Sequence, residues 1–114
     1  MSKRDVKLLL SDIIESIDRI NCYVKGITKE EFLKDNKTLD AVTRNFEIAG
    51  EAASKIPAEF CLTYPDVQWK KIVGLRNRII HDCFEVDYDI VWEIINKNLP
   101  ELFTQLKKII AELS

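Results

Sequence analysis

The segment that decides the fold runs from Asp5 to Val24 and reads DVKLLLSDIIESIDRINCYV. Its apolar side chains recur every three or four residues, at Val6, Leu9, Leu10, Ile13, Ile14, Ile17, Ile20 and Val24. That spacing puts them on one face of an α-helix, which has about 3.6 residues per turn. Ser11 and Asp12 break the apolar run early, so we expect neither a signal peptide nor a membrane span. The segment predicts a long amphipathic helix that ends at Gly26.

The next two helices carry recognisable end signals. Thr28 and Glu31 have the spacing of a capping box, in which each side chain bonds the other residue's amide, so a short helix is predicted through Leu33. A third helix is predicted from about Thr38 to Ile56, because apolar residues follow helical spacing there and a proline comes next. Its alanines and glycine favour close helix contact.

Three more helices complete the predicted architecture. One runs from about Gln68 to Asp82, a second is capped by Asp87, and a third has Pro100 in its first turn and ends near Leu113. No stretch alternates with the period of two that indicates strands. We therefore expect an all-α antiparallel bundle of about five to six helices, formed by residues 1–114 as a single domain.

Composition limits the possible functions. With 114 residues and a net charge of −2, the chain cannot bind nucleic acid through a globally basic surface. Its three cysteines, Cys22, Cys61 and Cys83, are odd in number and widely spaced, which indicates reduced thiols and a cytoplasmic protein. Because there is one histidine, we expect no zinc site, and no feature calls for a cofactor.

Charge is segregated along the chain. The segment 68–81 carries Lys70, Lys71, Arg76 and Arg78 and no acid, whereas residues 82–93 carry five acids and no base. Adjacent charge blocks are usually solvated faces, but a basic helix can also bind phosphates. The acidic segment has neither the glycine nor the final glutamate of a calcium loop, so we interpret it as a turn and a helix start.

Arg76 lies within the apolar stripe of the predicted fourth helix. A charge buried there without a partner costs about several kcal/mol, so Arg76 needs a carboxylate, a cavity or a bound anion. Glu47 and Glu51 of the third helix are its candidate partners. Alternatively, the arginine stem covers apolar surface while the guanidinium reaches solvent. Gly74, which costs up to about 1 kcal/mol relative to alanine, indicates either tight packing or open access nearby.

Asn77 and His81 lie four residues apart on the polar side of the same helix. Histidine titrates at about 6.5 and can shuttle a proton, Asn77 could orient the ring, and Arg76 could bind a phosphate. On an ideal helix Arg76 and His81 diverge by about 140° and lie about 7.5 Å apart along the axis. Cleavage of RNA needs a base, an acid and a cation, so a homodimer that brings two copies to one cleft is expected.

A family resemblance supports this interpretation. The string Gly74-Leu75-Arg76-Asn77-Arg78-Ile79-Ile80-His81-Asp82, followed by Phe84, Val86, Asp87 and Val91-Trp92, closely resembles HepT toxins of the HEPN superfamily. The similarity covers most of the chain, including residues 44–52 and 64–69. It implies an all-α homodimeric ribonuclease that cuts RNA without a metal and leaves a cyclic phosphate and a 5′-hydroxyl. Arg76 would stabilise the scissile phosphate, Asn77 would orient, and His81 would act as acid or base.

The resemblance also implies an antitoxin, a minimal nucleotidyltransferase of the MntA type. In that family a tyrosine two residues after the histidine accepts AMP from the antitoxin, but this chain has Cys83 there. Cleavage is therefore expected, whereas control through AMPylation at this position is not. Tyr88 is interpreted as an aromatic residue at a helix start, so a steric block by the partner is the simpler expectation.

Two other functions are compatible with the sequence. The chain could be a non-catalytic helical module that binds a nucleotide or a nucleotidyltransferase, since the acids after His81 would repel RNA. It could also be a purely structural bundle, although Arg76 in an apolar stripe is then hard to explain. Trp69 and Trp92 could stack on bases, but packing in a core or interface is the more common role.

Overall fold

The computed structural model describes residues 1–81 and 87–113, and for residues 76–81 it describes the backbone alone. This part of the chain contains seven helices and no strand, which confirms the all-α prediction. The helices are α1 (Lys3–Val24), α2 (Lys29–Lys34), α3 (Asn36–Ser54), α4 (Ala58–Thr63), α5 (Trp69–His81), α6 (Tyr88–Lys97) and α7 (Leu99–Leu113). No helix in the described ranges is long and apolar enough to cross a membrane.

α1 begins two residues before the predicted start. Ser2 Oγ accepts a hydrogen bond from the Asp5 amide at 3.1 Å, and the Asp5 carboxylate accepts one from the Ser2 amide at 3.3 Å. This capping box satisfies amides that the first turn would leave unbonded. At the other end Gly26 has a φ of 77°, a conformation that side chains disfavour, so the helix ends where predicted.

The predicted capping box at the start of α2 is confirmed. Thr28 Oγ1 accepts from the Glu31 amide at 3.2 Å, and Glu31 Oε1 accepts from the Thr28 amide at 2.9 Å. α3 spans Asn36–Ser54, whereas the sequence predicted Thr38 to Ile56. Its start is earlier than predicted because Asp35 caps it. The Asp35 carboxylate accepts from the Thr38 amide at 3.2 Å and from the Thr38 hydroxyl at 2.7 Å.

α4 is a short helix beyond the five to six that the sequence predicts. Its six residues follow Pro57, no side chain caps its start, and none of its residues is fully buried. Phe60 is its main apolar contact, with its ring centroid 5.1 Å from that of Tyr64 and 6.3 Å from that of Trp69. α4 therefore has neither a start signal nor an apolar stripe long enough to be recognised in the sequence.

The predicted starts of α6 and α7 are confirmed. Asp87 Oδ1 accepts hydrogen bonds from the amides of Asp89 at 3.0 Å and Ile90 at 3.4 Å. Pro100 is the second residue of α7, where its missing amide hydrogen costs nothing. The Asn98 amide donates to the Ile94 carbonyl at 2.9 Å, so α6 passes into α7 almost without a break.

α3 lies at the centre of the bundle. It packs against both α1 and α5, while α7 packs against α1 and α6. Its small residues Ala49, Gly50, Ala52 and Ala53 are all buried, which agrees with the close contact predicted for them. Val42 of α3 is fully buried, and the core continues into the neighbouring helices through side chains with 0% exposure: Leu10, Ile13, Ile20, Phe32 and Leu106.

Candidate active site

The predicted catalytic residues lie on α5, and the first half of this helix is firmly anchored. Trp69 and Ile72 are 7% and 6% exposed, and Trp69 Nε1 donates a hydrogen bond to the Tyr64 carbonyl at 3.0 Å. Ile72 and Leu75 line the same internal cavity as Phe46 of α3. This packing fixes the rotation of α5 about its own axis.

The second half of α5 carries Arg76, Asn77, Arg78 and His81. Their backbone is helical as far as His81, which confirms the predicted helix from about 68 over Trp69–His81, while its predicted last residue, Asp82, lies outside the described residues. Their side chains lie outside the description, and Cys83 lies outside the described residues altogether. The roles assigned to these five residues therefore stay predictions.

The continuous helix fixes the relative directions of these positions. Asn77 and His81 are one turn apart and lie on the same side as Gly74, which is about 10.5 Å from His81 along the axis. Arg76 is rotated by about 140° from His81. The two residues therefore leave the helix in different directions.

Glu47 and Glu51, the candidate partners of Arg76, lie on α3, the helix that packs against α5. Glu47 is partly buried, with 32% of its side chain exposed, and its Oε2 lies 3.8 Å from Arg44 Nη1. Glu51 Oε1 lies 3.8 Å from Lys55 Nζ. Both glutamates line a groove of about 330 Å³ beside α1. The two glutamates are thus placed beside α1, with no α5 residue among the described lining of their groove, and their pairing with Arg76 remains a prediction.

A larger cleft, which the sequence analysis did not predict, opens beside Gly74. Its volume is about 570 Å³, and α5, α6, α7 and the turn before α5 form its walls. A Cβ added to Gly74 would meet no described atom within 4 Å. Of the two explanations for this glycine, the described residues favour open access over tight packing.

Two cations, Lys70 and Lys71, line the same cleft. Neither forms an ion pair with any residue that the structure describes. In the sequence, the signal that could have pointed to this cleft is the pair Lys70-Lys71 in a segment without acids, close to Gly74. The missing information was which helices face them.

The acids that follow His81 are partly accounted for by structure. Asp87 caps α6, and Asp89 Oδ1 lies 2.9 Å from Lys29 Nζ. The hydrogen bond to Asp89 raises the pKa of Lys29. Within the described ranges no group of three or more His, Cys, Asp or Glu residues is placed to hold a metal, and Cys22 and Cys61 are free thiols.

Tyr88 is held by two neighbours. Its hydroxyl lies 3.3 Å from Thr43 Oγ1, and its ring packs edge-on against Phe32 with centroids 6.5 Å apart. Trp92 also packs against Phe32, at 4.9 Å between centroids. Tyr88 is therefore a packed aromatic residue at a helix start, as predicted. Trp69 and Trp92 both contribute to packing, which is the more common of the two roles considered for them, the other being stacking on bases.

Comparison with known proteins adds a family and a set of relatives. The family model described as "Ribonuclease HepT-like" matches residues 13–109. A "Putative RNase" of Methanocaldococcus jannaschii is 38% identical over 99% of this chain and 93% of its own length. Another "Putative RNase", from Caldanaerobacter subterraneus, is 42% identical over 90% of this chain and 92% of its own length.

A third relative carries a more specific name. The "Probable ribonuclease HepT" of Thermococcus cleftensis is 36% identical over 94% of this chain and 97% of its own length. No solved structure matches the chain. In each of these three pairs the alignment spans nearly the full length of both proteins.

Proposed function

The chain belongs to the HepT-like ribonuclease family, and we propose that it is a toxin that cuts RNA without a metal. Membership makes it an endoribonuclease. The proposed active centre consists of Arg76 and His81, with Asn77 and Arg78 in support. The observation that carries the proposal is the position of these residues on one uninterrupted helix, α5, whose first half is fixed in the core.

In the proposed reaction the 2′-hydroxyl of one nucleotide attacks the adjacent phosphorus. The bond between phosphorus and the 5′-oxygen of the next nucleotide breaks, which leaves a cyclic phosphate and a 5′-hydroxyl. One group must take the proton of the 2′-hydroxyl and another must protonate the leaving oxygen. His81 is suited to either task, Asn77 orients its ring, and the Arg76 guanidinium stabilises the charge that develops on the phosphate.

We propose that two copies of the chain share the active cleft. Each copy supplies one histidine, and helical geometry directs Arg76 and His81 apart by about 140°. An isologous dimer supplies a second arginine and a second histidine to the same cleft, so one histidine can act as base and the other as acid.

We further propose that a minimal nucleotidyltransferase is the antitoxin and that it blocks the cleft sterically. The position where the family has its AMP-accepting tyrosine is Cys83, whose thiol is not the phenol that the modification uses. Tyr88 is a poor substitute acceptor, because its hydroxyl is bonded to Thr43 and its ring is packed.

The test uses purified protein, total RNA and EDTA. We expect the wild-type protein to cut RNA in EDTA, and Arg76→Ala and His81→Ala each to lower the rate by about a hundredfold or more. Arg19→Ala is the matched control, because Arg19 is an exposed arginine on α1 that pairs with Glu15. It should cut at the wild-type rate.

Three results would overturn parts of this proposal. Full cleavage by both Arg76→Ala and His81→Ala would refute the active centre. Loss of wild-type cleavage in EDTA, with recovery on adding Mg²⁺, would refute metal independence. Tight binding of a nucleotidyltransferase by protein that cuts no RNA under any condition would instead support the non-catalytic module.

A further inference from the structure

The cleft beside Gly74 is not used by the mechanism proposed above, although it lies on the same helix. Gly74 and His81 share one side of α5, about 10.5 Å apart along the axis, and Lys70 lies one turn before Gly74 on that side. An RNA strand that reaches His81 along this side of the helix would pass the mouth of the cleft.

We propose that this cleft binds one nucleotide of single-stranded RNA near the scissile phosphate and so sets the base preference of cleavage. The inference rests on the proposed function, since it assumes that α5 faces RNA. The volume of about 570 Å³ falls within the range of sites that hold small organic groups.

The walls of the cleft suit the two halves of a nucleotide. Leu75, Ile94 and Leu102 are partly buried and offer an apolar surface to the faces of a base. Lys70 and Lys71 offer positive charge to phosphates, and neither forms an ion pair with a described acid. A single-stranded base can turn into such a site, because it is not held in a duplex.

The polar side chains at the rim can read the edge of a base. Asn98 is exposed and offers an amide with donor and acceptor groups, and Asp66 and Glu101 offer carboxylates. Carboxylates repel phosphate, but they accept hydrogen bonds from exocyclic amino groups such as N4 of cytosine. The mixture of lysines, amide and acids therefore favours a base that carries an amino group, with its phosphates at the lysines.

Three variants test the cleft. Gly74→Leu projects a bulky side chain from the wall and narrows the cleft, and Gly74→Ala is the matched control, since a Cβ there meets no described atom within 4 Å and leaves most of the space open. Lys70→Ala/Lys71→Ala removes the two cations. Lys3→Ala/Arg4→Ala makes the same charge change in the first turn of α1, which does not line the cleft.

The first readout is the sequence of the cut sites in a randomised RNA pool. The wild-type protein and Gly74→Ala should prefer one base, or the bases with amino groups, at one position beside the cut by about tenfold or more. Gly74→Leu should still cut but lose that preference. Preservation of the preference by Gly74→Leu, or its absence from the wild-type protein, would refute the proposal.

The second readout is binding of a labelled single-stranded RNA to His81→Ala protein, measured by anisotropy at several salt concentrations. The slope of log affinity against log salt should fall by about 0.7 for each lysine removed, whereas the Lys3→Ala/Arg4→Ala control should keep the slope. Equal slopes for both double variants would refute the phosphate contacts. Because this background does not cut, the result is independent of the proposed catalysis.

A second copy of the chain is the competing occupant. Light scattering separates the two, because Gly74→Leu should retain the oligomeric state of the wild-type protein if RNA occupies the cleft. A change to a smaller species would assign the cleft to an interface and overturn the proposal. Absence of wild-type cleavage, with the expected salt slopes intact, would refute the proposed function and leave the cleft as an RNA site.

Discussion

Ser16 and Asn45 are the polar residues that the described core buries, with 2% and 4% exposure, on the helices α1 and α3 that pack together. Ser16 Oγ donates to the Asp12 carbonyl at 3.0 Å, and Asn45 Nδ2 donates to the Ala41 carbonyl at 2.9 Å. Asn45 Oδ1 has no partner among the described residues. Both hydrogen bonds return to the residue's own helix, so these polar groups do not link α1 to α3.

This arrangement predicts that Ser16→Ala is close to neutral. The hydroxyl bonds a carbonyl that belongs to a helix, and alanine is the better helix former, so stability should stay within about 0.5 kcal/mol of the wild type or rise. Leu106→Ala is the contrast, because Leu106 has 0% exposure and its truncation should cost about 2–5 kcal/mol. Urea unfolding followed by circular dichroism measures both. Equal losses in the two variants would contradict the prediction.

Residue chemistry alone nominates part of the proposed site. Arg76 and His81 can be proposed from the sequence, because an arginine within an apolar stripe needs an anionic partner or solvent and a histidine can carry a proton near neutral pH. Gly74 can be marked as unusual, but its cleft cannot be predicted, since the opposite walls come from α6 and α7. Those contacts join residues far apart in the chain, and local spacing carries no information about them.

Helix boundaries follow from side chains within a few residues of each end. The starts of α2 and α6 are predictable because Thr28 and Asp87 bond amides of their own first turn. The same chemistry at Ser2 and Asp35 moves the starts of α1 and α3 two residues earlier than predicted, and periodicity alone does not show it. α4 depends on aromatic packing between Phe60 and Trp69, which is a tertiary contact.

The cap of α3 predicts a dependence of stability on pH. Hydrogen bonds from the Thr38 hydroxyl, and then from its amide, lower the pKa of Asp35. A carboxyl whose pKa is lower in the folded state stabilises the fold above its unfolded pKa of about 3.9 and loses this effect as the pH falls through the folded value.

The expected result is therefore a pH-dependent difference between wild type and Asp35→Ala. Asp35→Ala should melt at a lower temperature at neutral pH, and the gap should shrink progressively below about pH 4. Asp40→Ala removes a carboxylate on the same helix that makes no described hydrogen bond, and it should show a smaller gap. A gap for Asp35→Ala that stays constant down to about pH 2 would rule out this coupling.

At the scale of the whole molecule, the proposed active site is shared between two chains. We expect that a mixture of Arg76→Ala and His81→Ala, unfolded and refolded together, regains part of the RNA cleavage that each variant lacks. Mixed dimers would hold one arginine and one histidine in a shared cleft. RNA cleavage by the mixture is compared with that of each variant refolded alone. No recovery, with mixed dimers demonstrated by differential tagging, would assign each site to one chain.

The central position of α3 also determines how the protein opens in solution. α3 packs against both α1 and α5 and buries eight of its residues, so we expect its amides to be among the best protected in the described structure. Hydrogen exchange at α3 should therefore require global unfolding, while α4, without a fully buried residue, should exchange through local opening. We expect the first half of α5, where Trp69 and Ile72 are buried, to exchange slowly as well. Substrate access would then come from surface already open in the folded state.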